Sequence, residues 1–126
     1  METQEITMTT QAIASRLAEL CKQGKFEEAQ DELFAEDALS IEPQATPDFP
    51  QETKGLEAIQ EKARKWNSMV SKVNSMKVSE PLIAANSFAV TMDMDVEMKN
   101  GQKMQHKELC VYEVKDGRVV SERFFM

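Results

Sequence analysis

Residues 87–117 read "SFAVTMDMDVEMKNGQKMQHKELCVYEVKDG", two alternating runs joined through Lys99, Asn100 and Gly101. In the first run Phe88, Val90, Met92, Met94, Val96 and Met98 share one face, and Thr91, Asp93, Asp95 and Glu97 share the other. A period of two over this length is the pattern of a half-buried β-strand. In the second run His106, Glu108, Cys110 and Tyr112 also fall at every second position. Whether that mixed row points into a core, into water or into a pocket depends on how the two strands pair.

A two-residue turn at Asn100-Gly101 sets Asp93 opposite Glu108 and Glu97 opposite Met104. A three-residue loop, with Gly101 left-handed in a bulge, sets Glu97 opposite Lys103, Asp95 opposite Gln105 and Asp93 opposite Lys107. Opposed unlike charges gain roughly 0.2–1 kcal/mol per pair and like charges lose a similar amount. The bulged register makes two ion pairs and no repulsion, so it is the expected one. It lays His106 beside Met94, Glu108 beside Met92, Cys110 beside Val90 and Tyr112 beside Phe88. A one-residue slip would turn all of them outward; in this register they face inward. The next turn, "VKDGRV" (114–119), has the same make-up. The same bulge there puts Val120, Glu122, Phe124 and Met126 on the inner face with Glu122 beside Cys110, although Asp116-Gly117 also suits a two-residue turn.

A packed core does not take two glutamates and a histidine without partners, because an unpaired buried charge costs several kcal/mol or changes its pKa. The expectation is therefore an inner face bordering a cavity, apolar in its depth and polar where these groups converge. The competing reading leaves Glu108, Glu122 and His106 at strand ends, solvated or paired with Arg and Lys from the helices.

Upstream, "TQAIASRLAELCKQG" (10–24) places Ile13, Leu17, Leu20 and Cys21 at helical spacing and stops at Gly24. "KFEEAQDELFAED" (25–37) predicts a short helix burying Phe26, Ala29, Leu33 and Phe34, and "ALSIEP" a short strand stopped by Pro43. Residues 43–55 hold three of the four prolines and read as an irregular loop. "GLEAIQEKARKWNSMV" (55–70) predicts a helix with Leu56, Ile59, Ala63, Trp66, Met69 and Val70 on one stripe. Three strands complete the chain. The class is α+β, one domain over 1–126, with about three helices packed on a curved antiparallel meander.

The net charge of −7 carries no basic cluster for phosphates, which argues against nucleic acid and against anionic membrane surfaces. The N-terminus lacks the basic start and apolar run of an export signal, and no apolar run is long enough for a span. Cys21 and Cys110 have no C-x-x-C spacing, so both thiols are expected reduced, in the cytoplasm.

The ordered set "LFAEDALSIEP" (33–43), "KGLEAIQEK" (54–62) and "VYEVKDGRVVSERFF" (111–125), with a helix before it, resembles the nuclear transport factor 2-like superfamily and within it the SnoaL-like proteins. The resemblance runs from about Met8 to Met126. It implies a cone of bent sheet closed by helices around a pocket, as in polyketide cyclases and ketosteroid isomerases. It also implies a base at Glu42, the carboxylate just before the strand-ending proline. The places matching the isomerases' oxyanion donors are Leu17 and Cys110, neither a serious donor; Tyr112, His106 or a protonated Glu108 could replace them.

The candidate catalytic residues are thus Glu42, Glu108 and His106. The candidate ligand-binding residues are Tyr112, Glu122, Cys110, Met92, Met94, Trp66 and Phe124. A lone histidine gives no metal set, and no cofactor is expected. The expected partner is a small apolar or carbonyl-bearing molecule, turned over by proton transfer from Glu42 or Glu108, or bound without chemistry. Ala89, Thr91, Leu109, Val111 and Phe125 on the opposite sheet face suit a homodimer contact, as is common in the family.

Overall fold

The hairpin of β5 (Ser87–Met98) and β6 (Lys103–Lys115) forms in the bulged register. Glu97 stands opposite Lys103, Met94 opposite His106, Met92 opposite Glu108 and Phe88 opposite Tyr112, with Gly101 at φ 89°. Only glycine takes that left-handed conformation at little cost. Phe88, Val90, Met92, Val96 and Met98 are buried while Lys103, Lys107 and Leu109 face solvent. The two ion pairs used to choose this register do not close within 4.0 Å among the described residues. Gln105 instead reaches across to Asp93 at 3.4 Å. Burial of the alternate face therefore sets the register, and the solvated charges add little.

This computed structural model describes residues 8–126, and the reading of the first seven as part of the domain and of a non-export N-terminus lies outside them. The chain runs α1 (Thr10–Lys22), α2 (Phe26–Leu33), β1 (Phe34–Ile41), β2 (Glu52–Lys54), α3 (Leu56–Met69), β3 (Val70–Val78), β4 (Leu82–Ala84), β5, β6 and β7 (Arg118–Phe125). Thr9 caps α1 by accepting from Ala12 N at 3.1 Å. Its end is a Schellman turn: Lys25 N–H donates to Leu20 O at 2.9 Å and Gly24 N–H to Cys21 O at 3.0 Å, with Gly24 at φ 72°.

The sheet order is β2-β1-β7-β6-β5-β3, with β4 also on β5. It is curved and unclosed, and mixed rather than purely antiparallel, because β1 runs parallel to β7. That parallel pairing begins at Phe34, opposite Val119, so β1 starts where a helix was expected to continue through Asp37. Tertiary pairing overrides the helical propensity of "FAED" there. β2, β3 and β4 were not anticipated: two have only three residues, too few to show a period, and β3 is an exposed edge strand whose register shifts twice.

The last turn departs from expectation in detail. Asp116 and Gly117 both have positive φ, 51° and 74°, and Lys115 pairs Arg118, which makes a two-residue hairpin. The bulge comes later, between Glu113 and Val114 on one side and Ser121 and Val119 on the other. Val120 is the extra residue and leaves the inner face to Val119. Glu122 therefore stands opposite Tyr112, not Cys110, and Phe124 opposite Cys110. The two-residue offset keeps the parity, so Glu122 and Phe124 still point inward.

Candidate functional site

α3 crosses over the concave face of the sheet, with α1 and α2 beside it. Of its apolar stripe only Ile59 is buried, while Ala63, Trp66 and Met69 are half-buried, because they roof a cavity instead of meeting a packed layer. The cavity has a volume of about 690 Å³, within the roughly 300–1,000 Å³ common for ligand pockets. Leu17, Cys21, Ile59 and Tyr112 line its buried end; Gln44, Asn67, Asn100 and Gln102, all exposed, line its mouth.

Nine of the ten candidate residues line this cavity: Glu42, His106, Glu108, Tyr112, Glu122, Met92, Met94, Trp66 and Phe124. Cys110 does not. It is fully buried behind the wall, and its thiol lies 3.8 Å from Glu108 Oε2. Burial and the neighbouring carboxylates of Glu108 and Glu122 push the Cys110 thiol well above its ordinary range, which fits a small core residue and not a nucleophile.

The carboxylates differ by environment. Glu122 is 5% exposed, and Ser40 donates to its Oε1 at 2.7 Å. Burial pushes Glu122 up to about 7, against the pull of Lys62 and of the Ser40 hydrogen bond; Glu42 and Glu108 push the same way as burial. Glu108 is raised by burial first and by Glu42 second. Glu42 follows the last residue of β1, and Lys62 of α3 donates to its Oε1 at 3.0 Å. Lys62 also donates to Ser40 Oγ at 2.6 Å and lies over the Phe124 ring, 5.6 Å from its centre. A continuous chain thus runs from Glu42 through Lys62 and Ser40 to Glu122. The helix-borne lysine of the competing sequence reading exists, but it pairs within the cavity wall and not in bulk water.

His106 sits edge-on to Trp66, ring centres 5.3 Å apart at 86°. Burial lowers its pKa against the pull of Glu42, which favours the neutral ring at pH 7, and its Nε2 is buried with no partner among the described residues. Gln30 Oε1 from α2 is likewise buried, unpartnered and beside the cavity. Ser40, Lys62 and Gln30 were not singled out from the sequence. Each had a signal: Lys62 lies three residues from Ile59, Gln30 four from Phe26, and Ser40 two from Ala38, all on buried faces. No three His, Cys, Asp or Glu side chains among the described residues stand close enough to hold a metal ion.

The buried glutamate makes stability pH-dependent. Its folded pKa is raised above the ordinary 4.5, so the folded chain holds the proton more tightly than the unfolded chain. The contribution is full below 4.5 and is lost as pH rises through about 7. Glu108 acts in the same sense and His106 in the opposite one, so the difference between wild type and Glu122→Gln isolates the effect. From pH 5 to pH 8 the wild type should lose on the order of 3 kcal/mol more than the variant in urea unfolding. Parallel pH slopes would mean that Glu122 is solvated.

A family model of the SnoaL-like domain matches residues 8–126. No curated protein matches the chain. A solved structure from Mesorhizobium loti, provisionally named a SnoaL-like polyketide cyclase or carbohydrate phosphatase, is 31% identical, covering 94% of this chain and 100% of that one, with a TM-score of 0.87. A provisionally named isomerase from Bacillus subtilis is 19% identical over 93% and 88% of the two chains, TM-score 0.70. A protein from Catenulispora acidiphila with a ketosteroid isomerase-like fold, in complex with trimethylamine, is 14% identical over 90% and 84%, TM-score 0.71. The last two share the fold, whereas the first resembles the chain in sequence over its whole length. Cone, roofing helix and matched residues together lead to one assignment: the chain belongs to the SnoaL-like family.

Proposed function

We propose that the cavity takes a small apolar molecule bearing a carbonyl group and moves a proton on it without a cofactor, with Glu108 as the base. The observation that carries this reading is Glu108 itself. Its carboxylate stands mid-strand in the cavity wall, forms no ion pair among the described residues, and has a raised pKa. A base at neutral pH works best when its pKa lies near the working pH. Glu42, the base by resemblance, is tied to Lys62, and its carboxylate would have to leave that contact to take a proton. Met92, Met94, Trp66 and Phe124 supply the apolar wall, and neutral His106 and Tyr112 supply polar contacts to the ligand. The test is deuterium uptake at the carbon beside the carbonyl, followed by NMR over a panel of cyclic ketones in D2O. Uptake above buffer supports the reading; no uptake with any ketone that binds overturns it.

One observation favours a second reading, binding without chemistry: the family's base position is held in an ion pair with a lysine. Under that reading ketones bind and exchange no protons.

The same proposal pairs two chains through the convex sheet face in the cytoplasm. No helix of the described residues is long and apolar enough to cross a membrane. Leu109, 42% exposed, lies between Thr91 and Phe125, 48% exposed, and the next row joins Leu82, Ala89 and Val111. Exposed apolar side chains grouped in this way, bordered by Thr91 and Arg123, suit an association surface. Light scattering should give a two-chain mass for the wild type and a one-chain mass for Leu109→Glu with Phe125→Glu. A one-chain mass for the wild type would overturn the pairing.

A further inference from the structure

We propose that Lys62 receives the negative charge of the reaction, holding the ligand's carbonyl oxygen on its ammonium while the proton is removed opposite. The inference rests on the proton-transfer reading above and names the residue that reading lacks. Removing a proton beside a carbonyl leaves the electron pair of the C–H bond in a new C=C bond and sends the C=O π pair to oxygen. The proton goes to the carboxylate of Glu108. The oxygen becomes an oxyanion, and in a cavity walled also by the carboxyl groups of Glu42 and Glu122 it is best held beside a cation. Return of the proton from Glu108 to a different carbon completes an isomerisation, with no oxidant, reductant or co-reactant consumed.

Lys62 is the one lysine or arginine among the cavity-lining residues described. An ammonium has three donors. Ser40 Oγ at 2.6 Å and Glu42 Oε1 at 3.0 Å take two of them, which leaves one for a ligand oxygen. The side chain is only 14% exposed, and the Phe124 ring lies against it at 5.6 Å. An interaction at such a site is stronger than in water and needs no reorganisation at the moment of reaction. Ser40, itself fully buried, accepts from Lys62 and donates to Glu122, so it fixes the ammonium from behind. Ser40 is a positioning residue.

The ligand class follows. It carries a carbonyl, or another oxygen able to bear negative charge, at the Lys62 end, and its acidic C–H lies toward Glu108. Aromatic hydroxyl compounds mimic the oxyanion without reacting.

The probe is 4-nitrophenol, whose ionised and neutral forms absorb at different wavelengths. Bound to the wild type it should ionise at a lower pH than in free solution. Lys62→Met should weaken binding of the phenolate by about 10–100-fold, the worth of one hydrogen bond to a charged group. Affinity for the uncharged 4-nitroanisole should fall far less than that for the phenolate, a contrast that general loosening of the cavity would not produce. Lys62→Arg should retain part of the phenolate preference. The wild-type measurement alone decides the matter if Lys62→Met fails to fold. No saturable binding, or a bound probe that ionises at the free pH or higher, overturns the inference. Phenolate preference without ketone exchange would keep Lys62 as an anion site and sink the base reading. Exchange that depends on Glu108 but is unchanged in Lys62→Met would do the reverse.

Discussion

Glutamine at position 108 should lower ketone deuterium exchange by about 10²–10⁴-fold, the usual contribution of a positioned general base, with affinity for the ketone little changed. The substitution keeps the shape of the side chain opposite Met92 and removes only its capacity to accept a proton. The thiol of Cys110 retains an oxygen to face. Because burial and Glu42 raise the Glu108 pKa, wild-type exchange should climb with pH beyond the ordinary carboxylate value of 4.5 as the base ionises. The variant's residual rate should show no such step. Exchange that survives in Glu108→Gln but disappears in Glu42→Gln would return the role to the position before Pro43, and the Lys62 contact would then have to break on ligand binding.

The inward face of β6 was legible because its partner strand places an apolar residue at every second position from Phe88 to Met98, and a single glycine in the turn settles parity. The charges used to choose between registers gave the right answer through the wrong agent. Asp93 and Glu97 do not hold Lys107 and Lys103 within ion-pair distance. Exposed pairs contribute too little to select a register, whereas exposing Val90, Met92 and Val96 would cost several kcal/mol. The last hairpin could not be settled the same way. Its turn admits two types, and the bulge at Val120 falls where β7 also pairs with β1, a long-range contact that leaves no local pattern.

The polar members of the site were partly hidden for a related reason. A lysine on an amphipathic helix is ordinarily solvated, so Lys62 reads as surface until the sheet beneath α3 is known to be concave. Ser40 is too small to signal burial by itself, yet the parallel register sets it directly beside Glu122. Glu108 and Glu122 announced the cavity because two carboxylates on an inward face demand either partners or space, and here they obtain both.

Phe88→Ala should destabilise the fold by about 3–5 kcal/mol in urea unfolding, the range for removing a buried aromatic ring. Phe88 is 2% exposed and its ring stacks on Tyr112, centres 4.8 Å apart at 18°. It does not line the cavity, so its loss opens a void behind the wall, and Tyr112 loses the support that holds its ring flat. Phe88→Leu refills most of that space and should cost distinctly less. Ligand affinity should then fall with Phe88→Ala, as the Tyr112 ring tilts, and hold in Glu108→Gln. That contrast separates the shape of the chamber from its chemistry. A loss below about 1 kcal/mol would mean that this face is not packed. The register argument, and with it the inward direction of Glu108, would fall together.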